Sequence, residues 1–228
     1  MNPSILCRDC TLRSCALYTL SEKEILRMEA LTCQATFKKG EILRKQGTPL
    51  ESVIYLRRGY VKEYLSHEHF ADQVIQLVKP KTYIGLQGLA KNANSTFSYQ
   101  TITEADVCYI DKTIFNELIS GNGKFAREIL IALSNESVSN HKRFLSLNQT
   151  QTFGKVAGLL IYLSEEIYEA GTFSLDLSRS ELAHMIASTR ESVTRALLWF
   201  QNEKIISIQE SVVHIIHFER LAEFAKKG

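Results

Sequence analysis

Two short helical segments joined by a tight corner restrict the fold of this chain more than any other feature. Serine and glutamate stand three residues apart at Ser178…Glu181 and again at Ser188…Glu191, which is the spacing of a capping box at a helix start. The interval between the two starts fits two helical turns and a corner. The pattern therefore predicts a helix-turn-helix.

The residues that must pack these two helices together are apolar or small. They are Leu182, Ile186, Val193 and Ala196, with Ala183 at the closest approach and Ala187 at the corner, a position where glycine is more usual. Residues 205–208 and 212–216 then flank a three-residue turn, which predicts a β-hairpin and hence a winged helix.

The outward face of the second helix is polar. Its stripe consists of Arg190, Glu191, Thr194 and Arg195, at i, i+1, i+4 and i+5. Arginine supplies forked donors for guanine edges, and glutamate accepts from the cytosine amino group. The alternative is a solvated helix with a Glu191–Arg195 ion pair. Because the stripe coincides with two capped helices and a hairpin, we expect DNA contacts from Ser188, Thr189, Arg190, Glu191, Thr194 and Arg195.

Bulk charge does not add to this prediction. From residue 148 onward the chain has eight Lys and Arg against ten Asp and Glu, and the whole chain has a net charge of +2. A DNA-binding surface must therefore come from the local placement of a few side chains.

The region before the helix-turn-helix changes periodicity twice. A capping box at Ser21…Glu24 predicts a short helix to about Leu31. Residues 35–110 form short runs rich in Val, Ile, Tyr, Phe and Thr, broken by turn signals, which predicts a small antiparallel barrel or sandwich. Residues 125–145 then predict a long amphipathic helix, which either covers its own core or pairs with its copy in a dimer. A helix from 151 to about 168 follows.

The five cysteines are spaced unevenly. Cys7, Cys10 and Cys15 fall within nine residues, whereas Cys33 and Cys108 stand apart. The chain has neither an apolar run of about 18 residues nor a secretory signal at its start, so we expect a cytoplasmic protein without a membrane segment. In a reducing compartment the clustered cysteines indicate metal ligation or redox chemistry.

Over essentially its whole length the sequence resembles the CRP/FNR family of bacterial transcription regulators, and the FNR-type iron–sulfur oxygen sensors in particular. Residues 188–195 resemble the recognition-helix signature of the family, and 37–42, Gly47 and 54–62 resemble the opening strands of its sensory domain. The resemblance implies an α+β protein. Its parts are a cysteine-rich segment (1–20), a jelly-roll, cyclic-nucleotide-binding-like β-domain (21–122), a dimerisation helix (123–150) and a winged helix-turn-helix domain (151–228).

For the DNA-binding domain, the resemblance implies a homodimer on palindromic promoter DNA that recruits or blocks RNA polymerase. The counterparts of Arg190, Glu191 and Arg195 in the CRP branch contact a TGTGA-type half-site. The FNR branch has an apolar residue at the position of Arg190 and reads a TTGAT-type half-site. Arg190 therefore favours the TGTGA type.

For the sensory domain, the resemblance argues against a cyclic nucleotide. Family members that bind one use a Gly-Glu and an Arg-Ser pair, and the matching stretch 83–97 has no acidic residue and no Arg. Lys91 offers only a point charge.

In the FNR branch, three N-terminal cysteines and one distant cysteine hold a [4Fe–4S] cluster. The distant cysteine lies in a strand that resembles residues 105–110. The implied ligands are Cys7, Cys10, Cys15 and Cys108, with four residues between Cys10 and Cys15 where the family has five. Cys33 is then the spare thiol, expected as a small core residue.

The implied mechanism is a switch in which an intact cluster favours the DNA-binding dimer and oxygen or nitric oxide destroys it. A structural Zn²⁺ and a thiol switch stay open as alternatives. A cluster-free regulator with a small effector and haem sensing through His67 or His69 are further alternatives. An iron–sulfur enzyme is the rival of a different class, but the sequence has no nucleotide fingerprint or P-loop, so we expect no enzyme.

Overall fold

The computed structural model describes residues 7–67, 69, 71–90, 94–149 and 151–227. Two compact units divide the chain: the first draws on residues 1–66 and 78–138, and the second on 67–77 and 139–228. The element order is sheets first, then a long helix, then the helix-turn-helix, so the predicted fold class is confirmed. In the described part of the chain, no helix is both long enough and apolar enough to cross a bilayer.

Eight β-strands lie between residues 32 and 111 and form two four-stranded sheets. The strands are β1 (Thr32–Phe37), β2 (Ile42–Arg44), β3 (Ser52–Arg58), β4 (Val61–Leu65), β5 (Gln73–Val78), β6 (Thr82–Ile84), β7 (Ser98–Thr101) and β8 (Ala105–Asp111). One sheet has the order β1-β8-β3-β6 and the other β2-β7-β4-β5. This jelly-roll-like arrangement confirms the predicted β-domain.

Strand β3 is apolar on both faces because each face contributes to a different core. Ile54 and Leu56 belong to one cluster of buried residues. Val53 and Tyr55 belong to the other, which also contains Cys108 of β8. Tyr55 pairs with Cys108 in the antiparallel register of the two strands. Since alternate side chains of a strand point to opposite faces, a strand buried on both sides has a continuous apolar run instead of alternation.

Residues 7–20, which we call the cysteine segment, pack into this second core. The segment contains two 3₁₀ turns, Cys7–Asp9 and Ala16–Thr19, and buries Leu17 and Leu20. The Tyr55 hydroxyl donates to the Leu12 carbonyl at 2.7 Å, and a 2.5 Å hydrogen bond joins the Ser14 and Tyr83 hydroxyls. These bonds fasten the segment to β3 and β6.

Helices α1 (Glu22–Ala30) and α2 (Lys112–Gly121) belong to the same unit. The predicted capping box at Ser21 and Glu24 is present at the start of α1. Helix α3 (Gly123–Gln149) has 27 residues, as predicted for the long helix. It buries Phe125 and Ile129 near its start. Further along it leaves large apolar side chains exposed, at Leu130, Ile131, Val138, Phe144 and Leu145.

The second unit contains a small three-stranded sheet and four further helices. Its elements are α4 (Thr152–Tyr162), β9 (Thr172–Ser174), α5 (Arg179–Met185), α6 (Arg190–Asn202), β10 (Ile206–Gln209), β11 (Val212–Ile215) and α7 (Phe218–Lys227). After α4 the chain continues as a π-helical turn, Leu163–Ile167, which matches the predicted helical extent to about 168. The sheet order is β10-β11-β9. Rings of Phe153, Trp199, Phe200 and Phe224 pack edge to face in the core of this unit.

The prediction that Cys33 is a core residue is wrong. Cys33 is exposed on β1, which is an edge strand of its sheet. It pairs with Tyr109 in the register that sets Gln34 opposite Cys108. Alternate residues of a strand share a face, so Cys33 lies on the face of β1 that also carries Ala35 and Phe37, which pack against buried residues. Cys33 is exposed nevertheless because it lies near the end of an edge strand.

Candidate DNA-reading helix and cysteine site

The corner of the helix-turn-helix is formed by a residue in the left-handed region. Helix α5 ends at Met185, and Ala187 has φ 47°. The Ser188 amide donates back to the Ala183 carbonyl at 3.0 Å. Thr189 then adopts extended backbone angles and caps α6, its Oγ1 accepting from the Ser192 amide at 3.2 Å.

The predicted capping box at Ser188 and Glu191 is therefore wrong by one residue. Ser188 is used in closing the turn, so the first residue free to take the extended conformation of an N-cap is Thr189. The box predicted at Ser178 and Glu181 is present, with the Ser178 amide donating to the glutamate carboxylate at 2.8 Å.

The packing residues of the two helices are buried as the sequence indicates. Ala183 is 2% exposed, which leaves room for the close approach of α6. The other members of this contact set are also buried, namely Leu182, Ile186, Val193 and Ala196. The apolar face of α6 is thereby fixed against α5, and the opposite face is left to solvent.

That opposite face carries the predicted polar stripe. Arg190, Glu191 and Arg195 are exposed and Thr194 is half-buried. The four side chains line one shallow groove, which continues along α6 to Asn202. The Thr194 hydroxyl donates to the Arg190 carbonyl at 2.8 Å, so its methyl group is the part available to a ligand.

Arg190 and Arg195 have their charged groups available for a partner. In the described part of the chain no ion pair joins Glu191 to Arg195. The β10–β11 hairpin follows α6, with Glu210 at φ 55° in its two-residue turn. The unit thus presents a capped helix with forked donors on its exposed face and a hairpin after it, which is the geometry of a winged helix that inserts into the major groove.

The first unit brings three of the four predicted cysteine ligands together. Cys7 and Cys10 of the cysteine segment and Cys108 of β8 line one enclosed cavity of about 20 Å³, the cysteine cavity. All three are buried. Cys15 is exposed and is not among the cavity-lining residues.

Burial in the cavity disfavours the thiolate forms of Cys7 and Cys108. Burial raises the pKa of Cys7 to about 11, and the nearby carboxylate of Glu29 adds to this effect. Burial likewise raises the pKa of Cys108 to about 12, while the Arg57 guanidinium acts in the opposite direction. Among the residues that the structure describes, no three His, Cys, Asp or Glu side chains are grouped closely enough to hold a metal ion.

Charged side chains around the cavity were not anticipated from the sequence. Arg13 and Arg57 line it, and Nε of each is buried without a hydrogen-bond partner. The same holds for Oε2 of Glu29. The only available signal was the double arginine at the end of β3, which does not tell which of the two side chains faces inward.

Residues 83–97, the stretch considered for cyclic-nucleotide binding, lie next to an arginine of another strand, Arg44 of β2. Gly85 has φ 88°, and a Cβ there would overlap Nη1 of Arg44, a buried residue of β2 whose Nη2 donates to the Ser52 carbonyl at 2.6 Å. Arg44 Nη1 is buried and has no hydrogen-bond partner. Arg44 could not be predicted from the stretch 83–97 because it belongs to another strand, β2. Lys91 lies outside the described residues.

Comparisons with known proteins agree with both units. Residues 154–224 match the Crp-like helix-turn-helix domain, and residues 34–122 match the cyclic nucleotide-binding domain. Among solved structures, FixK2 from Bradyrhizobium japonicum has a TM-score of 0.76 at 19% identity, covering 85% of this chain and 96% of that chain. This likeness concerns the fold.

Curated relatives extend over nearly the whole chain. An anaerobic regulatory protein of Haemophilus influenzae is 26% identical over 226 residues, 96% of this chain and 88% of the relative. The transcriptional activator protein Anr of Pseudomonas aeruginosa is 26% identical over 229 residues, 98% of this chain and 93% of the relative.

The fold, the helix-turn-helix and the relatives together show that this chain is a DNA-binding transcription regulator and not an enzyme. The chain belongs to the CRP/FNR family, in which a cyclic-nucleotide-binding-type β-domain precedes a Crp-like helix-turn-helix. Dimerisation is typical of this family.

Proposed function

We propose that this regulator senses oxygen, nitric oxide or redox state through a [4Fe–4S] cluster bound by Cys7, Cys10, Cys15 and Cys108. The observation that carries the proposal is the cysteine cavity, where two thiols of the cysteine segment and one thiol of β8 lie together. Thiolates are the ligands that such clusters require. The relatives described as anaerobic regulators support the same signal.

The donor chemistry and the unpaired charges fit a thiolate-ligated cluster, although the spacing of the thiols does not form a ready site. A cavity of about 20 Å³ holds roughly one water molecule. Binding therefore requires the cysteine segment to shift and Cys15 to turn inward. Cys7 and Cys108 must also lose their protons, because the thiolate is the binding form.

When bound, the cluster supplies a redox-sensitive link between the cysteine segment and β8. Within the protein, a change at the cysteine segment would then be transmitted through buried side chains. Tyr55 and Tyr83 hydrogen-bond to the cysteine segment, and they belong to the buried cluster that includes Phe125 and Ile129 of α3. A change in how the segment is held thus reaches the start of α3 by direct packing.

We further propose that α3 forms the homodimer. Its exposed apolar side chains include Val138, which is 53% exposed, and Leu145, and contiguous apolar side chains left in solvent are typical of a protein–protein interface. A dimer would present two α6 helices to a palindrome about one helical turn apart. An energetic preference of the cluster-bound form for the dimer of about 3 kcal/mol would change the dimerisation constant more than a hundredfold.

On the DNA, Arg190 and Arg195 are the proposed donors to guanine edges and Glu191 the acceptor for a cytosine amino group. Ser188, Thr189 and Thr194 complete the contact set, with the Thr194 methyl suited to a thymine methyl or the sugar. The TGTGA-type half-site is the preferred target because Arg190 adds a guanine donor. RNA polymerase is the proposed partner of the DNA-bound dimer.

The deciding experiment is the visible absorption spectrum together with the iron, sulfide and zinc content of protein purified without oxygen. It is repeated on Cys108→Ser and, as a matched control, on Cys33→Ser. We expect a broad thiolate-to-iron absorption band that bleaches in air, is absent in Cys108→Ser and persists in Cys33→Ser.

Anisotropy with labelled palindromic DNA, under argon and in air, links the spectrum to function. Tight binding under argon that weakens as the band bleaches is the expected result. Colourless, iron-free protein after anaerobic reconstitution would refute the iron–sulfur part. In that case stoichiometric zinc would identify a structural metal, and DNA binding reversed by a thiol reductant would identify a thiol switch.

A further inference from the structure

Arg57 is an unusual residue for its position in the β-domain. It lies near the end of β3, is 8% exposed, and lines the cysteine cavity. Its Nη2 is 4.0 Å from a carboxylate oxygen of Asp106, at the outer limit of an ion pair, and that carboxylate also accepts from Thr36. Nε of Arg57 is buried and has no hydrogen-bond partner.

A buried guanidinium with an unpaired N–H costs free energy, and the surroundings of Arg57 compensate it incompletely. Apart from Asp106, the groups beside Arg57 that would become anionic on binding a metal are the thiols of Cys7, Cys10 and Cys108, which line the same cavity. The geometry therefore assigns the charge of Arg57 to the cavity, in addition to Asp106.

Arg13 repeats the arrangement from the other side of the cavity. It belongs to the cysteine segment, its Nε is also buried without a partner, and its guanidinium lies over the Tyr18 ring at 4.5 Å from the ring centre. Two guanidiniums thus line a cavity together with three thiols, apolar side chains and the polar side chains of Thr32, Gln34 and Tyr55. Glu29 and Asp106 are nearby carboxylates.

We propose that Arg57, assisted by Arg13, is the counter-charge that holds the cluster and sets its resistance to oxygen. This inference rests on the proposed function. Four thiolates outweigh the positive charge of the iron–sulfur core, so the ligated cluster is a net anion. A buried anion is stable only when it is paired, and Arg57 lines the cavity together with Cys7, Cys10 and Cys108.

The same charge opposes oxidation. Transfer of one electron from a bound cluster to dioxygen, which would become superoxide, would lower by one the net negative charge that Arg57 and Arg13 face. A fixed positive charge nearby favours the more negative state, so it makes this electron loss less favourable. Removing the charge of Arg57 should lower the midpoint reduction potential of the cluster and shorten its lifetime in air.

The test compares Arg57→Met with Arg57→Lys, which keeps the charge, and with Arg58→Met, which removes the exposed neighbouring arginine. Each full-length protein is reconstituted without oxygen at limiting iron. Iron per chain, the half-life of the visible band in air and the midpoint potential are then measured. For Arg57→Met we expect about tenfold weaker iron retention and a clearly shorter half-life, the usual scale for a residue behind the metal ligands.

Recovery in Arg57→Lys and normal behaviour in Arg58→Met would establish that charge, and not side-chain packing, is responsible. Equal iron retention, half-life and potential in Arg57→Met and wild type would overturn the inference and leave the cluster proposal standing. Wild-type protein that takes up no cluster would overturn both. If Arg57→Met does not fold, Arg13→Met replaces it as the test variant and Arg8→Met serves as its control, and the same three quantities are compared. Both arginines are less buried than Arg57, so their substitution should disturb folding less.

Discussion

Arg190 is the residue on which base preference should depend most. It is exposed in the first turn of α6, at the start of the groove formed by the polar stripe. We predict that Arg190→Val lowers the affinity of the dimer for a TGTGA-type palindrome by about 30-fold or more, because it removes one bidentate guanine contact from each half-site and each contact contributes about 1–3 kcal/mol. Affinity for a TTGAT-type palindrome should change much less. Fluorescence anisotropy at one fixed salt concentration measures both.

Arg220→Ala is the control for charge alone. Arg220 lies on α7 and pairs with Glu203, away from the polar stripe. We expect this variant to keep the wild-type ratio of the two affinities. A similar loss for both palindromes in Arg190→Val would show that Arg190 contacts phosphate and not a base.

The five cysteines should differ sharply in reactivity when no metal is bound. Cys15 and Cys33 are exposed, whereas Cys7, Cys10 and Cys108 are buried. We predict that iodoacetamide at pH 7.5 modifies Cys15 and Cys33 first, because accessible thiols react fastest. Mass spectrometry of peptides from a time course measures the order. Early modification of Cys108 would contradict the burial of the cysteine cavity.

At the scale of elements, the backbone at the corner between α5 and α6 is strained, and a single substitution can relieve this strain. Ala187 has φ 47°, a conformation that costs an L-residue about 1 kcal/mol and costs glycine nothing. Ala187→Gly loses part of this gain because glycine makes the unfolded chain more flexible. We predict a net stabilisation of about 0.5 kcal/mol, read from urea unfolding by the fluorescence of Trp199, the only tryptophan of the chain.

Ala183→Gly is the matched control for this prediction. Ala183 lies inside α5, is buried and has ordinary helical geometry. Glycine there should destabilise the unit by about 1 kcal/mol. If both glycine variants destabilised the unit to the same extent, the left-handed turn at Ala187 would carry no strain worth relieving.

Local signals in the sequence predicted the elements better than they predicted the orientation of single side chains. The capping boxes at Ser21 and Ser178 are short-range patterns, and both are present. The start of α6 was misplaced by one residue because Ala187 turns left-handed and uses Ser188 to close the corner. That conformation depends on the packing of two helices, which a capping pattern does not contain.

The orientation of strand residues depends on pairing across the sheet. Cys33 was expected in the core and is exposed, because β1 is an edge strand and Cys33 lies near its end. Arg57 and Arg58 are adjacent and similar, yet Arg57 is buried and Arg58 exposed. A one-residue change of register would exchange them. The cysteine spacing and the family resemblance predict a metal site, which stays a prediction, whereas the charged side chains around the cysteine cavity follow from tertiary structure alone.

At the scale of the whole molecule, α3 is the element through which the proposed sensing would act on DNA binding. It begins in the core shared with the cysteine segment, through Phe125 and Ile129. It ends next to α4, the first helix of the second unit. Its exposed apolar residues lie along the intervening length. A dimer formed along α3 would therefore respond to the packing of Phe125 and Ile129 at the start of this helix.

The dimer proposal makes a direct prediction for Val138, which is 53% exposed near the middle of α3. In a symmetric interface each substitution counts twice. Val138→Asp should remove about 1.5 kcal/mol of apolar burial from each copy, so we expect a dimerisation constant weakened by ~100-fold or more. Asn140→Asp adds the same charge at an exposed position on another face of α3 and should leave the constant unchanged. Sedimentation velocity measures both, and anisotropy with palindromic DNA should show a parallel loss for Val138→Asp alone. A Val138→Asp protein that remains dimeric and binds the palindrome normally would place the dimer interface elsewhere.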